Sequence, residues 1–244
     1  MNSFKQLTST FLLTCGVAIG GPAYWTDWTS SNGTGGFTAL GNITTPTATV
    51  GVTYTNSQGV SFFQASGGTD FWTNNFGVRD PSRSPYTSAL VDNIPTGTDI
   101  VGLQFAGNQT LTFSESIANP VFSYVSLNGN GYAFDQDFDI LSFGDGTARD
   151  AGYWGVGTSS KNIVDLGGGV FEYQLIGTGE PHGTVRFTGN FSTVSWRSLS
   201  NENWNGFTVG IQETTAAVTS PEPGSIVLVG ASLAGLLARF RRRK

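Results

Sequence analysis

The sequence predicts an all-β protein whose main part, residues 24–213, is a single β-sandwich or jelly-roll-like domain. Short runs of β-branched and aromatic residues recur between polar turns at intervals of roughly 8–12 residues, which is the pattern of a sandwich. No window of about 15 residues between the two termini has a helical period. The chain contains 34 glycines, and only 12% of its residues are charged. We expect a signal peptide before this domain and a membrane-anchor helix after it.

The strand-like runs can be followed in order along the domain. They are rich in Val, Ile, Thr, Phe and Tyr, which fit a pleated, half-buried surface. Gly107-Asn108 lies between two such runs, and this dipeptide predicts a hairpin turn. Trp196 lies in an alternating run, so we expect its side chain in the core. The expected strands are 50–54, 60–63, 100–106, 109–114, 120–127, 140–143, 170–176, 184–188, 193–198 and 207–212.

Residues 1–23 have the features of a secretory signal peptide. Lys5 gives a weakly positive start, 11–19 form an apolar core, and the small residues Gly21 and Ala23 provide a cleavage site after Ala23. We therefore expect export through the Sec machinery. Cys15, the only cysteine, lies in this segment, so the mature protein would contain no disulfide and no reactive thiol.

The C-terminal segment 221–244 combines three features in order. Two prolines flank Glu222, an apolar run follows, and the last six residues contain five of the twelve Lys and Arg residues. The run is shorter than the about 20 residues of a typical spanning helix, but Arg side chains can reach the interface and extend the span. We expect a short membrane helix over 225–240 with its basic end in the cytoplasm, preceded by a spacer over 214–220. The residues that carry these features are Pro221, Glu222, Pro223, Gly224, Arg239, Arg241, Arg242 and Arg243.

This order of Pro-Glu-Pro motif, apolar helix and Arg-rich end resembles the PEP-CTERM sorting signal of bacterial surface proteins. The resemblance is confined to 221–244, and Ser220 stands where valine often precedes the motif. It implies that Pro221, Glu222 and Pro223 are recognised and processed by an exosortase, a membrane-embedded cysteine protease or transpeptidase. It also implies transient anchoring in the inner membrane, followed by transfer to the cell surface or the extracellular matrix.

The charge of the domain limits its partners. Without Lys5 and the basic tail, six basic residues remain against sixteen acidic ones, a net charge of about −10. Nucleic acids and anionic membranes require a basic face, so we expect the domain to bind neither. Divalent cations and neutral polymers remain compatible with this charge.

A group of alternating aspartates suggests a calcium site, because carboxylate oxygens are the ligands that Ca²⁺ prefers. The loop is not an EF-hand, since Ile140 and Gly146 occupy the positions of its glycine and glutamate. The alternative is a solvated turn beside a strand, with Phe134 and Phe138 packed inward. The candidate ligands are Asp135, Asp137, Asp139 and Asp145.

Catalytic motifs are weak. Two carboxylates on facing strands could form a glycosidase pair, but their spacing in the sequence does not show which of them meet. His182, the only histidine, lies in a turn, and no nucleophile elbow accompanies it. Zinc, haem and iron–sulfur sites need more His and Cys ligands than the mature chain has. The candidate carboxylates are the same aspartates, with Glu172, Glu180, Glu202 and Glu213 as further candidates.

The tryptophans could stack on sugar rings, and Trp72 and Trp204 are the stronger candidates among Trp25, Trp28, Trp72, Trp154, Trp196 and Trp204. Trp72 and Trp204 each lie among amide and carboxylate residues, and such side chains bind hydroxyl groups beside an aromatic plane. Loop tryptophans can instead close the ends of a sandwich.

These features predict an exported surface or matrix protein that associates with extracellular polysaccharide and is not an enzyme. The alternative is a secreted hydrolase of glycans that carries a sorting tag. A hydrolase would release reducing sugar from a glycan, and a binding protein would not.

Overall fold

The computed structural model describes residues 21–219. Residues 1–20 of the expected signal peptide and the expected sorting signal at 221–244 lie outside this range. Within it, no helix is both long enough and apolar enough to cross a membrane.

Strand is by far the main secondary structure of the described chain, which confirms the all-β prediction. One short helix follows the last strand. The elements are β1 Tyr24–Trp25, β2 Asp27–Asn32, β3 Phe37–Thr44, β4 Thr49–Asn56, β5 Phe62–Gln64, β6 Ile100–Leu103, β7 Gly107–Ala118, β8 Val121–Val125, β9 Gly131–Phe134, β10 Phe138–Phe143, β11 Gly157–Gly167, β12 Val170–Gly179, β13 Gly183–Phe187, β14 Asn190–Ser198, β15 Asn205–Ile211, β16 Glu213–Thr214 and α1 Thr215–Thr219.

The strands form two antiparallel sheets, consistent with the predicted β-sandwich. One sheet has the order β10-β13-β8-β15-β6-β5, with β1 also paired to β15. The other has the order β11-β12-β9-β14-β7-β4-β3-β2, with β16 also paired to β7. Every expected strand overlaps an observed one, whereas β1, β2, β3, β9, β11 and β16 were not expected from the sequence.

Gly107-Asn108 does not form the predicted hairpin turn. β6 pairs with β15 in one sheet, and β7 pairs with β14 and β4 in the other. The chain thus crosses between sheets before Gly107, and the two flanking strands cannot pair with each other. Gly107 is the first residue of β7 and has a φ of 139°, a conformation that favours glycine.

The core lies between the sheets and is rich in aromatic side chains. Trp196 is 3% exposed, as expected from its alternating strand. Its ring meets that of Phe207 edge-on at 5.1 Å, and Phe207 stacks on Phe122 at 5.0 Å. Such aromatic pairs add roughly 0.5–1.5 kcal/mol each beyond the burial of their area.

The long connection between β5 and β6 covers the outer face of the first sheet. Trp72 and Tyr86 of this connection pack with Val125 of β8, and Val91 packs with Val121. All five residues of β8 are therefore buried, although its sequence does not alternate between polar and apolar residues.

Both ends of the described chain are held at one end of the sandwich. Tyr24 of β1 pairs with Ile211 of β15, and Thr214 of β16 pairs with Ile117 of β7. Thr214 is buried, and residues 215–219 form α1, so most of the expected spacer is part of the folded domain. We call this end, with Gly21 and Thr214, the terminal end.

Candidate functional site

The candidate site lies at the opposite end of the sandwich, where β8, β13 and β15 meet their loops. Trp204 directly precedes β15, whereas Gln212 follows it. At about 3.3 Å per residue, these two residues are about 25 Å apart along the strand direction. Asn128 follows β8, and Glu180 precedes β13. Because β8 pairs antiparallel with both β13 and β15, these two residues lie beside Trp204. We call this end the site end.

Five aromatic side chains form a continuous cluster at the site end. Trp204 meets Phe71 at 4.8 Å and Phe62 at 5.0 Å between ring centroids. Tyr153 meets Phe71 at 5.1 Å, and Trp154 lies 4.9 Å from Tyr153 and 6.4 Å from Trp204. Trp154 is 52% exposed, and the other four are half-buried. The cluster thus presents aromatic surface to solvent on a fixed base.

An open cavity of about 410 Å³ lies against this cluster. Its lining combines one aromatic face with three amides and one carboxyl group, the side chains that recognise hydroxyl groups. Asn203 and Asn128 are exposed. The lining residues are Asn128, Asn201, Glu202, Asn203 and Trp204.

The loop before β15, which carries the lining residues 201–204, is held in place by hydrogen bonds. Asn201 Oδ1 accepts from the Ala106 N–H at 2.7 Å, and the Glu202 N–H donates to Gln104 O at 3.0 Å. Asn130 Nδ2 donates to Ser200 O at 3.0 Å, and its Oδ1 accepts from the Ser200 N–H at 2.9 Å. The loop is therefore ordered before any ligand binds, which lowers the entropy lost on binding.

Glu202 is the most perturbed carboxyl group of the site. Its Oε1 accepts from Asn205 Nδ2, and Asn205 Oδ1 accepts from the Tyr132 hydroxyl. Its Oε2 is buried and has no hydrogen-bond partner among the described residues. Burial, with the negative charge of Glu180, raises the pKa of Glu202 to about 7. Glu180 itself accepts hydrogen bonds from the Ser126 hydroxyl and from Asn128 Nδ2.

Trp72, unlike Trp204, is not placed to contact a ligand. It is 1% exposed, and its indole N–H donates to Asp99 O at 3.1 Å. Its neighbour Asp70 forms a two-pronged ion pair with Arg79 at 2.6 and 2.7 Å. The prediction for Trp72 is wrong because its loop packs on the outer face of a sheet instead of closing the end of the sandwich.

Three of the four aspartates proposed for calcium have separate partners. Asp137 pairs with Lys161, Asp139 pairs with Arg186 at 3.3 Å, and Asp145 accepts the Thr147 N–H in a turn at 2.8 Å. Asp135 lines a groove of about 380 Å³ on the outer face of the second sheet. Among residues 21–219, no three His, Cys, Asp or Glu side chains are placed to hold a metal ion.

His182 is buried in the domain. Its Nδ1 lies 2.8 Å from Glu180 O, and its Nε2 has no partner among the described residues. Burial lowers the pKa of His182 to about 4, so the ring is neutral at physiological pH. It supports the turn before β13 and does not face the cavity lining.

Sequence reasoning favoured Trp204 and included Trp154 among the tryptophans that could stack on sugars, but it missed Phe62, Phe71 and Tyr153. These residues come from three separate segments, and only the fold brings them together. One indication for Trp154 can be read from the sequence, because this large aromatic residue lies in a glycine-rich segment, between Gly152 and Gly155. Comparison of the chain with protein-family models, curated proteins and solved structures found no match.

Proposed function

We propose that this chain is an exported bacterial surface or matrix protein whose domain binds extracellular polysaccharide at the site end. The observation that carries the proposal is the solvent-facing aromatic cluster beside a cavity lined by amides. Aromatic rings stack on the apolar C–H faces of sugars, while amides and carboxyl groups bind their hydroxyls. The negative charge of the domain favours a neutral polymer.

The position of the cluster supports a role at the cell surface. The domain's own ends lie at the terminal end, from which the expected sorting signal continues toward the membrane. The cluster lies about 25 Å away along β15 and would face outward from an anchored protein. We further propose that an exosortase recognises Pro221, Glu222 and Pro223 and so determines where the protein is delivered.

Binding can be measured with the full-length protein in detergent against a panel of neutral and acidic polysaccharides. We expect retention on at least one neutral polymer, and we expect Trp204→Ala to weaken it by tenfold or more. Truncating a central aromatic anchor typically costs about 2 kcal/mol, and about 1.4 kcal/mol already corresponds to a factor of ten.

Phe171→Ala provides the matched control, because Phe171 is an aromatic residue exposed by 42% that lies outside the cluster. Equal losses for the Phe171 and Trp204 variants, or no retention on any polymer, would contradict the proposal.

A secreted glycan hydrolase is the second candidate, and the raised pKa of Glu202 is the observation that favours it. A general acid must hold its proton near neutral pH, and Glu202 meets that condition next to a second carboxylate, Glu180. Release of reducing sugar from the same panel, abolished by Glu202→Gln, would favour the hydrolase over the binding protein.

A further inference from the structure

The first described residues belong to the folded domain, although they precede the expected cleavage site. Gly21 forms a β-bridge with Val91, and its carbonyl accepts a hydrogen bond from Gln212 Nε2 at 3.0 Å. Ala23 is 2% exposed and packs with Trp25 and Val91. These contacts place 21–23 inside the terminal end of the sandwich.

Ala23 is also held by a reciprocal pair of hydrogen bonds. Its N–H donates to Asn93 Oδ1 at 2.7 Å, and its carbonyl accepts from Asn93 Nδ2 at 2.8 Å. Cleavage after Ala23 would remove the methyl group from its buried position and leave the Asn93 amide without both partners. It would also leave Gln212 without one of its two acceptors, the other being Leu90 O at 2.8 Å. Asn93 and Gln212 are half-buried, and polar groups partly removed from water destabilise a fold when they lose their partners.

The sequence contains a second peptide bond that is preceded by small residues at the positions that a signal-peptide cleavage site requires. Ala18 and Gly20 stand third and first before the Gly20–Gly21 bond, just as Gly21 and Ala23 do before the Ala23–Tyr24 bond. The sequence rule therefore accepts both bonds. Only cleavage of the Gly20–Gly21 bond retains every contact of 21–23 in the mature protein.

We propose that signal peptidase cleaves the Gly20–Gly21 bond and that the mature chain begins at Gly21. The reaction is a hydrolysis: one water is consumed, Gly20 leaves with the new carboxylate, and Gly21 keeps the new amino group. The inference rests on the proposed export of the protein, but it concerns the cleaved bond and not the ligand or the sorting signal.

The test is to express the full precursor in a bacterial host and to determine the N-terminal sequence and intact mass of the translocated protein under denaturing conditions. We expect the sequence Gly-Pro-Ala-Tyr. A start at Tyr24, with a mass lower by one glycine, one proline and one alanine residue, would overturn the proposal. A protein that keeps its leader and stays in the cytoplasm would instead overturn export itself, and this inference with it.

Two variants separate the bonds without depending on folding, because the readout is a sequence. Gly20→Leu places a large residue directly before the proposed bond, and we expect it to abolish the start at Gly21. Ala23→Leu is the matched control, since it blocks only cleavage after residue 23, and the start at Gly21 should persist. If Gly20→Leu is processed normally while Ala23→Leu blocks processing, the cleavage site is Ala23.

Discussion

At the residue scale, the half-buried Glu202 and the buried His182 near the site end respond to pH in opposite directions. The pKa of Glu202 is raised from 4.5 to about 7, so the folded state binds more protons than the unfolded state in that window. Stability from Glu202 therefore falls as pH rises from about 4.5 to 7. The pKa of His182 is lowered from 6.5 to about 4. The contribution of His182 to the stability of the folded state therefore rises as the pH rises from about 4 to 6.5.

Glu202→Gln isolates the first effect. Glutamine resembles the protonated acid and keeps an oxygen that can accept from Asn205 Nδ2. We expect the variant to gain Tm relative to the parent at about pH 8, where the buried carboxylate is charged, and to show little gain at about pH 5. Thermal melts at both pH values measure the difference.

The control for this experiment is Glu115→Gln, since Glu115 is an exposed carboxyl group on β7. Its Tm difference from the parent should be similar at the two pH values. A Glu202→Gln difference that is independent of pH would contradict the burial of this group as the cause.

At the element scale, β11 and β12 form an arm that extends past the sheet. β12 pairs with β9 only over Tyr173–Ile176, whereas its pairing with β11 continues to Val170. The outer part of the arm exposes large apolar side chains, at Ile163, Leu166, Val170 and Phe171. Since these side chains are not in the core, the arm's outer part contributes little to the stability of the domain.

Shortening the arm tests this description. Val164 and Glu172 are direct partners across the hairpin, so Asn-Gly can replace 165–171 as a two-residue turn. We expect the free energy of unfolding to change by no more than about 0.5 kcal/mol, as for ordinary surface changes. Chemical denaturation measures this change in the free energy of unfolding.

Leu175→Ala in the same strand serves as the comparison, because Leu175 is fully buried. It should cost about 2–5 kcal/mol. A comparable loss on shortening the arm would show that the arm stabilises the domain.

At the scale of the whole molecule, both ends of the described chain lie at the terminal end of the sandwich, and the aromatic cluster lies at the site end. Gln212 donates a hydrogen bond to Gly21 O, so the first described residue lies close to the end of β15. A protein held by its C-terminal segment would therefore keep its terminal end near the membrane and its site end away from it.

Deleting 221–244 tests the expected sorting signal. In a host with an exosortase, we expect the truncated protein to be soluble in the periplasm or medium, while the intact precursor fractionates with the membrane. Fractionation followed by immunoblotting measures this. Replacing Pro221, Glu222 and Pro223 with alanine is the matched control, which should leave an unprocessed precursor in the membrane. Identical fractionation of the intact and truncated proteins would contradict the sorting proposal.

Several properties of this protein follow from the sequence alone. Alternating strand runs predict the all-β class because side chains on a strand point to opposite faces, so the period can be read without any tertiary information. The core position of Trp196 follows from the same alternation. The charge of the domain is likewise a property of composition. Each of these properties depends on a local sequence pattern or on a count of residues.

The tertiary structure decided which residues meet. Trp72 and Trp204 have similar neighbours in the sequence, yet Trp72 is buried between its own long connection and the sheet, and Trp204 lies beside a cavity. Gly107-Asn108 has the sequence of a turn, but its flanking strands belong to different sheets. Contacts between residues far apart in the chain depend on how the sheets pair and what covers their faces. That information is absent from any short window of the sequence, which is why the site had to be found in three dimensions.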